Sequence, residues 1–425
     1  MKADLQCGRT IVNLEVPDST EVLEMEPLAP LHDPTAAVRD ALAHPIQSPP
    51  LEEMARGRQS ACIVISDITR PVPNQIILPP LLETLEAAAM AREAITILIA
   101  TGMHRPNLGE ELAHMVGRDI MANYRIENHF CRDPENYRRI DTIDGAPIEV
   151  NRHYLDAGLR ILTGLIEPHF YAGYSGGRKA ILPGISSFET MKFMHSYRMI
   201  DHPRVANCVL DGNPFHHNGL RICELAGVDF IVNVVLNKHR QVGGVFAGHY
   251  DRAHRAGCEV VERHSTAAVD EPFDLVITSG GGFPLDSTFY QVSKALICAR
   301  NVLRKGGDIV VICGCHEGLG GKEFSGILRS VGSFAEFRER YQDPKNFVID
   351  QWCAQSIFQA LDHAGQVHIY SPGLTREDVE KMGAVFVTDL QQTVNRLTAR
   401  GGRVALSPEG PYVVGMVREA VGAVS

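Results

Sequence analysis

Four stretches of this chain gather residue types that do chemistry rather than fill a core. The first is Ser66-Asp67-Ile68-Thr69-Arg70-Pro71-Val72-Pro73. Asp and Thr fix turns or cap helices, and the two prolines stiffen the backbone. Arg70 adds a planar fork that matches a carboxylate or a phosphate. The second is Thr101-Gly102-Met103-His104-Arg105-Pro106. Gly102 permits a tight turn, and an imidazole such as His104 titrates near working pH, which suits proton transfer. The third is Glu167-Pro168-His169-Phe170-Tyr171-Ala172-Gly173-Tyr174-Ser175-Gly176-Gly177-Arg178-Lys179-Ala180. Its glycines let backbone N–H groups approach an anion closely, and Arg178 and Lys179 add charge. A phosphate-bearing cofactor is the natural ligand for Gly176, Gly177 and Arg178. The spacing is neither a Walker A loop nor the Gly-x-Gly-x-x-Gly dinucleotide fingerprint. The fourth is Thr278-Ser279-Gly280-Gly281-Gly282-Phe283-Pro284-Leu285-Asp286, followed by Tyr290, Gln291 and Lys294, which share one face of a helix.

Three further residues carry two readings each. His195, in Phe193-Met194-His195-Ser196, is either a core ring or a metal ligand, and no pair of histidines completes a zinc site around it. Trp352, the only tryptophan, is either a core anchor or a surface on which a ring stacks. Cys313-Gly314-Cys315-His316 has the look of a metal clip, but it follows an apolar run and reads as a buried strand end. His104 and His169 lie in separate loops. Racemisation asks for such a pair, because a stereocentre must be approached from both faces. The spacing does not reveal which bond breaks.

These loops need elements to position them. Short β-branched runs at 61–66, 94–100, 160–165 and 230–235 read as buried strands, with a helix over 75–92. A second series follows at 275–278, 308–312, 367–370, 385–387 and 404–406, with helices over 290–303 and 376–381. Strand–helix alternation implies an α/β fold: two α/β domains with Rossmann-like, mostly parallel sheets. Ligands of such sheets bind beyond the carboxyl ends of strands, where all four stretches lie. The expected division is a cofactor-binding domain over 1–268, completed by 408–425, and a second domain over 273–400, with the active site in the cleft between them.

Composition bounds the partners. The chain has 425 residues, room for two domains at roughly 100–200 residues each. The hydrophobic share of 44% allows large cores. A net charge of −10, from 41 basic and 51 acidic residues, disfavours a nucleic-acid surface but not a local basic pocket. Met1-Lys2-Ala3-Asp4 is not a signal peptide, and no apolar run spans a bilayer, so no membrane partner is expected. Ten scattered cysteines suit reduced thiols in a cytoplasm. A homo-oligomer is compatible with all of this.

The segments around Asp67-Ile68-Thr69-Arg70-Pro71, Thr101 to Pro106, His169 to Lys179, His195, and Tyr290-Gln291-Val292-Ser293-Lys294 resemble those of the nickel-dependent lactate racemases, in order and over essentially the whole chain. The resemblance implies a nickel pincer nucleotide, the pyridinium-3,5-bisthiocarboxylic acid mononucleotide with nickel. Dedicated biosynthesis enzymes make it and are therefore expected partners; protein made without them is expected to lack it. Lys179 would be joined to one thioacid arm as a thioamide, and His195 would be the single protein ligand to nickel. His104 and His169 would take and return the hydroxyl proton. Arg70 and Lys294 would hold the carboxylate and neighbouring oxygens. Asp67 would help position the site, Tyr290 and Gln291 would line it, and Trp352 would lie near the pincer ring. The reaction implied is racemisation of a 2-hydroxy acid by proton-coupled hydride transfer through a 2-keto acid. Lactate is the first-choice substrate from Tyr290 and Gln291. Malate, another larger 2-hydroxy acid or a sugar acid is the alternative, with Arg105 a candidate for a second carboxylate. From other classes, an NAD-dependent 2-hydroxy acid oxidoreductase and a non-catalytic binding protein remain to be distinguished.

Overall fold

The computed structural model describes residues 1–418, so the expected 408–425 return falls partly, at 419–425, outside the described residues. The chain divides into two compact units. Of the described residues, one comprises 27–195 and 202–264; the other comprises 1–26, 196–201 and 265–418.

In the first unit, among the described residues, six strands lie in the order Val242–Gly248, Phe230–Leu236, Leu159–Leu165, Ala61–Ser66, Ile95–Ala100, Arg125–Asn128. All neighbours are parallel except the Val242–Gly248 edge. The central strands are apolar on both faces, as burial from two sides requires. Ile63, Ile65, Ile97, Ile99, Ile161 and Val232 pack against Leu78, Leu81, Leu85 and Val38. Cys62, Val64, Leu98 and Leu162 are equally buried on the other side. Each such side chain contributes about 1.5–3 kcal/mol. From Ala61–Ser66 the chain runs outward to one edge, then returns at Leu159–Leu165 and runs to the other. The strand order therefore reverses between Ala61–Ser66 and Leu159–Leu165. In open α/β sheets such a reversal is where the loops of adjacent strands part and a ligand crevice forms.

The other unit repeats the principle. Among its described residues the order is Val385–Phe386, Gln366–Tyr370, Leu303–Ile312, Phe273–Ser279, Val404–Ser407, Glu21–Val22, all parallel. The Lys2–Cys7 and Thr10–Glu15 strands form an antiparallel hairpin. Its inward residues Ala3, Leu5, Cys7 and Leu14 join Leu275, Ile277, Val310 and Ile312 in one core. The strand Val414–Val417 pairs with Thr266–Val269. The chain's start and the 414–417 strand thus fall in the unit that holds the C-terminal sheet, whereas the sequence reading placed them with the first domain. An alternating strand shows that it has an apolar face; it does not show which sheet that face will meet.

The Val242–Gly248 edge was likewise not anticipated. Three glycines in seven residues do not read as a strand. The turn at Asn237 supplies what composition withholds. Asn237 Oδ1 accepts from the N–H groups of His239 and Gln241, at 3.0 Å each, and the resulting hairpin forces antiparallel pairing.

Candidate functional site

At the end of Ala61–Ser66 the chain turns through buried Asp67. Thr69 Oγ1 donates to Asp67 Oδ1 at 2.7 Å, which closes the turn. Asp67 Oδ2 lies 2.7 Å from His104 Nδ1, in the loop after Ile95–Ala100. A carboxylate only accepts, so Nδ1 carries a hydrogen, and in the neutral ring His104 Nε2 carries the lone pair. The His104 side chain is 55% exposed, which leaves that ring accessible to a ligand. Arg70, half-buried, follows in the same turn. Arg105 is already held by both Glu111 carboxylate oxygens, at 2.7 and 2.8 Å.

The loop after Leu159–Leu165, the other strand of the crevice, is built from inside. Pro168–His169 pairs with Gly173–Tyr174 as a tight antiparallel turn. His169 Nδ1 accepts from the N–H groups of Tyr171 at 3.1 Å and Ala172 at 3.3 Å. His169 Nε2 lies 3.0 Å from Lys179 Nζ. Gly176 and Gly177 adopt φ of +73° and +50°, a region that L side chains rarely enter. A Cβ on Gly176 would fall 2.8 Å from Asn233 Oδ1, the atom that accepts from Gly177 N. The short helix Gly177–Ala180 then presents Lys179. Arg178 points the other way. Its guanidinium is buried, donates to the Ala172 and Tyr174 carbonyls, and lies 3.0 Å from His254 Nε2. Arg178 props the loop from beneath, whereas Lys179 turns to His169.

His195 ends the helix Phe188–Met194, which Ser187 caps by accepting from Thr190 N. Its Nδ1 lies 2.9 Å from the Met191 carbonyl, which fixes the hydrogen on Nδ1 and the lone pair on Nε2. Burial pushes the His195 pKa down to about 4, although the Met191 bond opposes it. The ring is therefore neutral at pH 7, the form that ligates metals. Tyr171 and Phe215 pack edge-on against it, at 6.2 and 5.4 Å between centroids. Phe215 also lies 5.6 Å from Lys179 Nζ, and Tyr171 5.9 Å from the His169 ring. His169, Lys179 and His195 thus share one aromatic-walled cluster. Burial, then the Arg70 and Arg178 charges, hold the Lys179 pKa well below the ordinary lysine value, with Glu167 opposing.

In the other unit, Tyr290, Gln291 and Lys294 lie on the helix Phe289–Val302. Tyr290 OH donates to Asp350 Oδ1 at 3.3 Å, and burial raises its pKa well above the ordinary value. Trp352 is buried in the helix Gln351–His363 and stacks on Phe347 at 6.1 Å. Cys353 Sγ donates to Ser293 Oγ at 3.0 Å and joins the two helices. Gln291 Oε1 is buried with no hydrogen-bond partner among the described residues.

Sequence reasoning missed Phe215, Asn233 and His254. Each is an ordinary-looking residue on an element far along the chain. The one available signal was Asn233 itself, a polar residue inside an otherwise apolar strand.

Models of known families match both parts of the chain. The lactate racemase N-terminal domain covers residues 7–207, and the lactate racemase C-terminal domain covers 269–414. The chain belongs to the lactate racemase family. It is 36% identical over 384 residues to the lactate racemase of Lactiplantibacillus plantarum, covering 89% of this chain and 90% of that one. It is also 36% identical to the lactate racemase of Thermoanaerobacterium thermosaccharolyticum, with 90% of each chain covered. The solved apoprotein of the lactate racemase from T. thermosaccharolyticum superposes with a TM-score of 0.90 at 31% identity, over 99% of this chain and 100% of that one. A Thermotoga maritima protein at 18% identity and a TM-score of 0.66 shares the fold. As a member of the lactate racemase family the protein is an isomerase acting on hydroxy acids. Among the described residues, no three His, Cys, Asp or Glu side chains are grouped to hold a metal ion. None of their helices is long and apolar enough to cross a membrane.

Proposed function

We propose that this protein racemises lactate in the cytoplasm, using a nickel pincer nucleotide tethered to Lys179 and ligated through His195. The observation that carries the reading is the cluster of His169, Lys179 and His195 around Phe215. The residues fit the group. A neutral imidazole with its lone pair on Nε2 is the donor a nickel ion needs, and the other donors would come from the cofactor's sulfur arms. Lys179 supplies the amine to be acylated, and the Gly176-Gly177 turn supplies backbone close to it. When bound, the cofactor supplies the acceptor for the substrate's C2 hydride.

The protein supplies the rest. Arg70 grips the carboxylate with its planar fork, so that the substrate can turn without leaving. Lys294, Tyr290 and Gln291 would contact the remaining oxygens. His104, with Nε2 unprotonated, accepts the hydroxyl proton of one enantiomer. His169, with its hydrogen on Nε2, serves the opposite face. Asp67 holds His104 in its working tautomer, and Arg178 acts through the loop it supports. Lactate is favoured over a diacid because Arg105, the charge a second carboxylate would need, is already paired with Glu111.

The test is co-expression with the cofactor-making enzymes, followed by incubation with single enantiomers of lactate and malate. Loss of optical rotation without NADH formation is expected, faster for lactate. Net NADH formation, or unchanged rotation with both acids, would overturn the reading.

A further inference from the structure

The contact between His169 and Lys179 constrains the charge of both. His169 Nδ1 accepts two backbone N–H groups, from Tyr171 and Ala172. A ring nitrogen that accepts carries no hydrogen, so the hydrogen of a neutral imidazole must be on Nε2. That Nε2 lies 3.0 Å from Lys179 Nζ. An ammonium has three hydrogens and no lone pair, so it cannot accept from an N–H. The two groups satisfy each other only if Lys179 is an amine.

We propose that His169 donates its Nε2 hydrogen to Lys179 Nζ and so holds this lysine as a neutral nucleophile before any cofactor arrives. His169 then has a positioning role in cofactor attachment besides its part in proton transfer. The inference rests on the reading that Lys179 carries the cofactor. The charges around Nζ act in the same sense. Arg70 and Arg178 disfavour an ammonium, as does burial. Glu167 opposes them, and the Phe215 ring at 5.6 Å offers a weak cation site. His195, which packs edge-on with Phe215, is neutral at pH 7. Attachment needs the lone pair. Lys179 nitrogen bonds to the carbon of a thiocarboxylic acid, and the acid's oxygen leaves as water. That water takes one hydrogen from the amine and one from the thiol, giving a thioamide.

The test uses the apoprotein and cyanate, since isocyanic acid is small and adds only to neutral amines. The Lys179 peptide is followed by mass spectrometry between pH 7 and 9, with rates corrected for the isocyanic acid present. For an ordinary lysine such as Nα-acetyl-lysine the corrected rate rises about tenfold per pH unit in this range. For Lys179 it should be flat. His169→Leu should restore a rise with pH. His169→Gln, whose amide can donate from a similar place, should stay flat. A wild-type Lys179 that rises about tenfold per unit, or is not modified, overturns the proposal, as does a His169→Leu profile as flat as wild type. Racemisation plays no part in this readout, so failure here is distinguishable from failure of the racemase reading.

Discussion

Asp67 Oδ2 lies 2.7 Å from His104 Nδ1, and the carboxylate is buried while the imidazole is half in solvent. His169 has the opposite arrangement, with Nδ1 accepting and the hydrogen on Nε2. Two histidines offered for proton transfer are therefore set in opposite tautomers, one by a carboxylate and one by two backbone N–H groups. An enzyme that must work on both faces of a stereocentre can use both forms.

Replacing Asp67 tests the first of these supports. In Asp67→Asn the amide can present either N–H or oxygen to His104, and the tautomer is no longer imposed. General acid–base groups contribute about 10²–10⁴-fold, so kcat of the loaded enzyme should fall about 10²-fold or more with KM little changed. Chiral chromatography of lactate in both directions measures it. A kcat within roughly twofold of wild type would show that Asp67 only closes its turn.

Arg70→Lys keeps the charge and loses the fork. A charge-assisted hydrogen bond is worth about 1.5–3 kcal/mol, so KM should rise roughly 10–100-fold. Saturation curves with lactate show the change. An unaltered KM would place the carboxylate elsewhere.

Acid should destabilise the first unit steeply. Burial pushes the pKa of His129 down to about 4, and burial with the Arg178 charge pushes His254 to about 3 and His216 to about 2. All three lie below the unfolded value of about 6.5. Above that value both states are neutral and the native state keeps its full stability. As pH falls from 6.5 towards 4 the unfolded chain binds protons that the native chain refuses. Stability then drops by about 1.4 kcal/mol per pH unit for each histidine. A series of thermal unfolding curves should show the decline begin near pH 6.5. His129→Gln, which can still bond the Ser186 carbonyl, should lessen the slope by about one proton. A curve flat from pH 7 to 5 would refute this account.

Gly176→Ala adds a Cβ at 2.8 Å from Asn233 Oδ1 and 2.9 Å from Ile166 Cγ1, at a φ of +73°. Backbone strain and overpacking together should cost about 2–4 kcal/mol. Gly145→Ala is the control, because at φ +81° its Cβ meets nothing within 4 Å. It should cost about 1–2 kcal/mol from strain alone. Urea unfolding midpoints compare the two. Equal losses would mean that close approach to Asn233 is immaterial.

Much of this was legible along the chain. The runs at 61–66, 160–165 and 230–235 became strands because β-branched residues buried on both faces have no other economical form. Ligands of such sheets are expected at strand ends, so Arg70, His104, His169 and Lys179 stood out as candidates by type and position. Their order and motifs also carried the family. What no local pattern holds is partnership. Arg178 and Lys179 are neighbours in sequence with equal charge, yet one is buried against its own loop and the other faces His169. Which tautomer each histidine takes depends on Asp67, Tyr171, Ala172 and Met191. The N-terminal hairpin found its core only through Leu275, Ile277, Val310 and Ile312, far along the chain. Sequence by itself determined the residue types and the strand ends that carry them, because propensity and patterning act over a few residues. Only the tertiary structure decided protonation, facing and pairing, because these depend on atoms that meet across long loops.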